Sequence, residues 1–443
     1  MRQQSLFRNF TRYTFLSVLG TLGVSCYILA DTFFISKGLG ARGLTALNLA
    51  IPVYNFIHGT GLMLGMGGAT KFTVCKAQGD QKETDRIFQN TIYLAVLFSA
   101  LFFIVGLLFS NTLTALLGAD ESVFEMTETY LRWLLLFAPA FIMNDVFLCF
   151  VRNDDAPNLA MTGMLIGSLS NIVLDYLFIF PMRMGIFGAI FATGLSPIIS
   201  IAMMSPHWLR KKHSFHFVKT GFSAKIAGQE ISLGFPSLLG QISSGVVMIT
   251  FNGIILGLEG NTGVAAYGVV ANLSIVITAI YTGMAQGVQP LISDAYGQNH
   301  SGTIRLLLKY SMSAMLFVSI AAYTLLFVWA DPVAAVFNSE GSMKLQEIAV
   351  NGLKLYFISA GFVGYNTILA IYFTSIEQPL PAHILSLLRG FFLLIPAAFL
   401  LSSIWQMTGV WLAYPIAEGL TAASGFFCYR HRQKSMSAKS PGA

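Results

Sequence analysis

Long apolar runs separated by short polar connections repeat from residue 13 to residue 430. Each approaches the ~20 residues that an α-helix needs to cross a bilayer, and the short alternating segments of a transmembrane barrel are absent. The pattern predicts twelve spans, at 13–36, 44–68, 87–109, 129–151, 159–182 and 184–206, then 231–256, 264–290, 305–330, 350–375, 383–404 and 406–429. The expected fold is an all-α polytopic membrane protein with 12 transmembrane helices.

Composition supports this. Of the 443 residues 55% are hydrophobic and 10% charged, against about 25% charged in soluble domains. Only six of the 26 Lys and Arg residues (Lys37, Arg42, Arg132, Arg183, Lys344 and Lys354) fall to the odd-numbered connections, so the positive-inside rule places both termini in the cytoplasm. The same rule accounts for the net charge of +6 without nucleic acid. The basic start, MRQQSLFRNFTRY, leads into a full-length span with no small-residue cleavage site and reads as a cytoplasmic start. Cys26, Cys75, Cys149 and Cys428 form no CxxC or metal spacing and read as small buried hydrophobes.

The longest connection, 207–230, is basic and divides six spans from six. We expect an N-terminal lobe at 1–206, a cytoplasmic linker at 207–230, a C-terminal lobe at 231–430 and a cytoplasmic tail at 431–443. The lobes share a faint, collinear repeat. Asp31-Thr-Phe-Phe-Ile aligns with Asn252-Gly-Ile-Ile-Leu, Lys76-Ala-Gln-Gly with Asp294-Ala-Tyr-Gly, Asp155-Ala-Pro157 with Glu377-Gln-Pro379, and Gly185-Ile-Phe-Gly-Ala with Gly409-Val-Trp-Leu-Ala. An even number of spans per half gives both halves one orientation, so a pseudo-twofold axis along the membrane normal relates the two six-helix lobes.

Polar residues inside the spans carry the chemistry. Asn171 and Asp175 lie one turn apart on one face of the fifth span, and the hairpin at Pro181–Gly185 returns Thr193 to similar depth. Asp31 lies about 18 residues into the first span and Asp175 about 16 into the fifth, so at 1.5 Å per residue they share a depth in the outer half of the bilayer. A carboxylate there costs at least ~2.5–3.5 kcal/mol and is a functional-site hypothesis. Two carboxyls in one dry pocket should not both ionise, which suits a proton carrier; with the Asn amide and the Thr hydroxyl, the donors would equally hold Na⁺. Interhelical packing is the competing role. The second half lacks the cluster: Asn252 aligns with Asp31, and 393–399 reads Leu-Leu-Ile-Pro-Ala-Ala-Phe. The cluster is thus a property of the N-terminal lobe and not a requirement of the architecture.

Asn144 and Asp145 in the fourth span, Glu418 in the twelfth, His58 and Arg389 are further cavity-lining candidates. Gly61-Leu-Met-Leu-Gly-Met-Gly-Gly68 reads as a close helix-packing face. The chain has no GxxxxGK[ST], HExxH or GxSxG motif, which argues against an ATPase or an intramembrane enzyme and leaves secondary transport.

Ala30-Asp31-Thr32, the Asn171-Ile-Val-Leu-Asp175 motif, Gly185-Ile-Phe-Gly-Ala-Ile-Phe-Ala-Thr193, Arg152-Asn-Asp-Asp-Ala-Pro157 and the doubled six-span plan resemble the multidrug and toxic compound extrusion (MATE) family, its DinF-like and MepA-like branch above all. The resemblance implies a twelve-helix, two-lobe exporter with Asp31, Asn171, Asp175 and Thr193 at the N-lobe proton or cation site. The acidic residues that the NorM-like branch carries in spans seven and ten are absent here. First-span bending, which some members centre on a proline, would use Gly20 and Gly23.

The expected function is antiport in a bacterial inner membrane, exporting amphipathic, often cationic organic compounds against H⁺ or Na⁺. No cofactor is expected beyond the coupling ion. Expected partners are small organic substrates and membrane lipids, without nucleic acid, and a monomer suffices because two lobes enclose a pathway. The alternative is a flippase for a lipid-linked or peptide precursor, which would need a cationic central groove.

Overall fold

The computed structural model describes residues 3–209, 213–338 and 341–438. Its first element, α1 (Gln3–Ala77), carries the first two spans without an intervening loop, because the chain turns at Gly40 (φ 68°, ψ −160°), a conformation that costs glycine nothing. There follow α2 (Gln81–Leu116), α3 (Phe124–Leu136) with α4 (Ala138–Asn153), α5 (Pro157–Ile179), α6 (Gly185–Met204) and the short α7 (Pro206–Leu209). The second half repeats the plan: α8 (Ala224–Gly297) carries two spans bent at Gly260 (φ 62°, ψ −155°), followed by α9 (Ser301–Val328), α10 (Ala330–Phe337), α11 (Met343–Tyr356) and α12 (Ala360–Ser375), then α13 (Pro379–Leu387) and α14 (Leu394–Ala438). No strand occurs among the described residues. The twelve spans form two lobes of six.

Helices outrun the predicted spans because polar ends still satisfy their backbone outside the hydrocarbon. Asp80 and Ser223 cap α2 and α8 by accepting from the Glu83 and Ile226 amides. Three predicted spans are broken. The fourth bends by 47° between α3 and α4, the tenth passes through a 3-10 turn at Phe357–Ser359, and the eleventh passes through a π-turn at Leu388–Phe392. Gly20 and Gly23 keep helical backbone angles in this structure. Side chains there would collide with Met164 and Leu165, so these glycines admit α5 against α1.

The repeat is written in the backbone. Left-handed residues recur at Gly40 and Gly260, Gly79 and Asn299, Gly118 and Gly341, Asp155 and Glu377, and Arg183 and Gln406. This register corrects two sequence pairings. Lys76 stands opposite Tyr296 and not Asp294, and Asp31 opposite Phe251 and not Asn252.

Lipid-facing surface is plain on α2, where Leu97, Leu101, Ile104 and Leu108 form an exposed apolar stripe at helical spacing. Between the halves, α1 and α8 approach to backbone contact. A side chain at Gly67 would meet the Glu230 carbonyl, and one at Gly234 the Met63 carbonyl. The connection after α7 docks under the N-terminal half: Phe215 is buried against Phe72, Phe88 and Phe150, and Tyr93 donates to the Thr220 carbonyl. Arg210, Lys211 and Lys212 of the predicted linker, and 439–443 of the predicted tail, lie outside the described residues.

Candidate functional site

In α5 the i,i+4 spacing puts Asn171 and Asp175 on one buried face, both fully enclosed. The turn at Arg183 and Gly185, both at positive φ, returns the chain as α6 and brings Thr193 alongside. Asn171 Nδ2 donates to Thr193 Oγ1 at 3.3 Å, and Thr193 donates to the Ala189 carbonyl at 3.1 Å. From α1, buried Asp31 reaches the Asp175 carboxyl within hydrogen-bond range. Neither Asp175 oxygen has an N–H or hydroxyl donor among the described residues, and Asp31 Oδ1 and Asn171 Oδ1 also lack one. Two acceptor groups meeting in a dry pocket hold together only if a proton or another cation lies between them.

Tyr130 of α3 is buried beside this cluster. Sequence reasoning missed it, since one tyrosine among many aromatic residues carries no periodic signal. By the backbone register, the second half presents Phe251 where the first has Asp31, and Ala397 and Ala398 around the position of Asp175. The cluster therefore has no counterpart there.

The other candidates fall into two pairs. His58 Nδ1 lies 2.8 Å from Asp145 Oδ2, an ion-pair distance without the alignment of a hydrogen bond. Gly61 leaves the room, for a Cβ there would sit 2.5 Å from Asp145 Oδ2. His58 stacks on Tyr54 with ring centres 5.9 Å apart, and the Tyr54 hydroxyl meets that of Tyr27 at 2.7 Å. Tyr27 is one turn before Asp31 on α1, so a string of polar groups runs from Asp175 toward Asp145. Beside it, Asn144 Oδ1 is buried without a partner.

In the second half Arg389 holds Glu418 through Nε at 3.0 Å and Nη2 at 2.9 Å, and its Nη1 donates to Thr367 at 3.1 Å. Asn366 Nδ2 donates to the other Glu418 oxygen at 2.7 Å. The π-turn adds a residue to the helix where Arg389 sits, aiming it across to α14. Glu230, missed because it falls one residue before the predicted seventh span, is fully buried and accepts from Asn90 Nδ2 at 3.2 Å and Thr91 Oγ1 at 3.0 Å.

This architecture and cluster have known relatives. The multidrug export protein MepA of Staphylococcus saprophyticus is 23% identical over 424 residues, spanning 95% of this chain and 92% of the relative. Among solved structures, a MATE protein in complex with MaL6 superposes with a TM-score of 0.92 at 23% identity, over 99% of this chain and 100% of that one. A MOP superfamily transporter from Pyrococcus furiosus, described as having a binding pocket of reverse polarity, superposes at 0.90 with 23% identity over 99% of each chain. The MatE family model matches residues 17–177 and 236–418, which include Asp31, Asn171 and Asp175 and most of both lobes. The chain belongs to the MatE family of transporters.

Proposed function

We propose that this protein is a secondary multidrug exporter of a bacterial inner membrane, both termini cytoplasmic, which expels amphipathic, often cationic organic compounds in exchange for H⁺. Na⁺ is the alternative coupling ion for the same donors. The observation that carries this reading is the contact between the Asp31 and Asp175 carboxyls, which have no other donor for three of their four oxygens among the described residues. An ion binding between them draws α1 against α5; losing it lets like charges separate the two helices. Ion and substrate then favour different arrangements of the N-terminal lobe, the condition under which one gradient can drive the other. Export of multiple drugs is supported by the MepA relative across nearly the whole chain. The flippase reading gains nothing from Arg389, which Glu418 neutralises.

The test is reconstitution in liposomes with a fluorescent cationic dye, imposing a pH or a Na⁺ gradient separately, alongside Asp31→Asn and Asp175→Asn. Dye movement driven by one gradient and lost in both variants supports the reading and names the ion. Movement that survives both variants refutes the coupling role.

A further inference from the structure

The backbone register that relates the two halves sets Leu291 opposite Lys71 and Asp155 opposite Glu377. Thr73 with Asn153, and Ser293 with Ser375, occupy matching places and are hydrogen-bonded in each half, at 2.8 and 3.2 Å. The seam therefore has two equivalent edges at the end of the molecule that carries the N-terminus. At one of them Lys71 sends its ammonium across to Glu377, Nζ 2.9 Å from Oε1. At the other, leucine stands in place of the lysine, and a cavity of about 190 Å³ lies there.

Both halves wall this cavity, with Leu6, Tyr13 and Asp155 from the first and Leu291 and Asp294 from the second. Asp155 accepts from the Tyr13 hydroxyl at 3.2 Å and shares the Lys76 ammonium with Asp154. Asp294 has only the Gln298 amide, one turn along its own helix and 3.0 Å from each oxygen, and no Lys, Arg or His within ion-pair distance among the described residues. Three carboxylates thus share one lysine, with His207 serving Asp154 alone. Burial pushes the Asp294 carboxyl above its ordinary value; Gln298 opposes the shift and the Asp155 charge adds to it. The counterpart of Asp294 in the register is Val74, so the fold itself does not require an acid there. A cavity of about 150 Å³ can hold benzene, so this one has room for a ligand of roughly six heavy atoms.

We propose that this cavity binds a short aliphatic diamine, one ammonium on Asp155 and the other on Asp294, with the carbon chain against Leu6 and Leu291. The ligand takes the part that Lys71 plays at the opposite edge and ties the two halves together by charge. Its effect on transport rests on the exporter reading above, in which this end faces the cytoplasm and must part to admit substrate. A diamine that binds the closed arrangement then slows export without being carried, because it favours one conformation over the other.

The probe is 1,4-diaminobutane, and 1-aminobutane, a weak base of like strength with one charge, controls for any loss of the pH gradient. Calorimetry on the full chain in detergent reads binding, and dye movement in proteoliposomes with amine on both faces reads export. The native protein should bind the diamine ~10-fold or more tighter than the monoamine, the scale of one charge-assisted pair, and its dye rate should fall with the same midpoint. Asp294→Asn should weaken both effects by ~10-fold or more while its rate without amine stays native. Leu291→Lys puts an ammonium into the cavity from the chain itself. It should abolish diamine binding, raise the Tm and export dye slowly with no amine present. Absence of binding, equal binding of the two amines, or binding that both variants leave unchanged would overturn the proposal. So would uptake of radiolabelled diamine driven by the coupling gradient, which would make it a substrate. Native protein that binds the diamine as described but moves no dye under either gradient would sink the exporter reading while supporting the site.

Discussion

Lys71 and Glu377 meet across the seam between the two halves, Nζ 2.9 Å from Oε1. In the other half the equivalent of Glu377, Asp155, spends its charge within its own lobe on Lys76, also at 2.9 Å. Of the two matching turns, only the second ties the lobes together by charge. Both partners are partly exposed, 19% and 25%, and the contact lacks hydrogen-bond alignment, so its worth is ~1 kcal/mol or less.

Glu377→Gln should therefore loosen this end of the molecule modestly. Thiol labelling of Ser293→Cys, buried beneath the seam, should speed up by no more than about 5-fold. The charge-swapped pair Lys71→Glu with Glu377→Lys should restore the native rate. If the swap labels faster than either single variant, the pair does not hold the seam.

The close crossing of α1 and α8 makes a sharper prediction. Gly234→Ala pushes a methyl into the Met63 carbonyl, where backbone must give way; overpacking of this kind costs typically ~1–3 kcal/mol. Gly253 lies in the same helix with nothing within 4 Å of a new Cβ. Thermal unfolding in detergent should show Gly234→Ala well below the native Tm and Gly253→Ala at or slightly above it, since alanine is the better helix former.

These examples show what the sequence made legible. Apolar run length locates spans, and a carboxylate inside one stands out against its neighbours, so Asp31, Asn171, Asp175 and Thr193 were visible as a set. Partners drawn from distant helices were not. Asp145 and His58 are 87 positions apart and Arg389 and Glu418 29, and no local periodicity ties such residues together. Arg152 reads as one more basic residue at a span end, because nothing local in the sequence shows that it is buried. The turns at Gly40 and Gly260 fall inside the predicted connections 37–43 and 257–263, but the sequence does not show that one glycine makes each turn, because a glycine between apolar runs reads equally as part of a longer loop.

Asp154, just beyond α4, pins the connection that follows α7. It accepts from Lys76 Nζ at 2.7 Å, the Ser214 amide at 2.7 Å and pairs with His207 Nε2 at 2.9 Å. Burial alone would push this carboxyl up, but His207, Lys76 and Ser214 together hold it well below the usual carboxylate range. A carboxyl that titrates lower when folded contributes fully above its unfolded value of about 4 and loses its effect only as pH falls through the lower folded value. Limited proteolysis at 213–223 should thus be equally slow from neutral pH down to about 5. Asp154→Asn should cleave faster throughout that range, and a native protein that opens near pH 6 would contradict the assignment.

The Arg389–Glu418 pair separates structural from functional charge in the second half. Glu418 is 1% exposed and bonded at both oxygens, so either partner left alone is an uncompensated buried charge, which typically costs ~3–5 kcal/mol. Arg389→Met and Glu418→Met should each lower the Tm severely. The double variant removes both charges and keeps the volume, and should recover most of the loss, because a well-packed apolar replacement of a buried pair is often neutral or better. Asn366 is then the residue to watch, since its amide loses the Glu418 side chain but keeps the Glu418 carbonyl at 2.9 Å. If the double variant is stable and still exports dye at the native rate, the pair serves the fold; if it is stable and inactive, the charges themselves take part in transport.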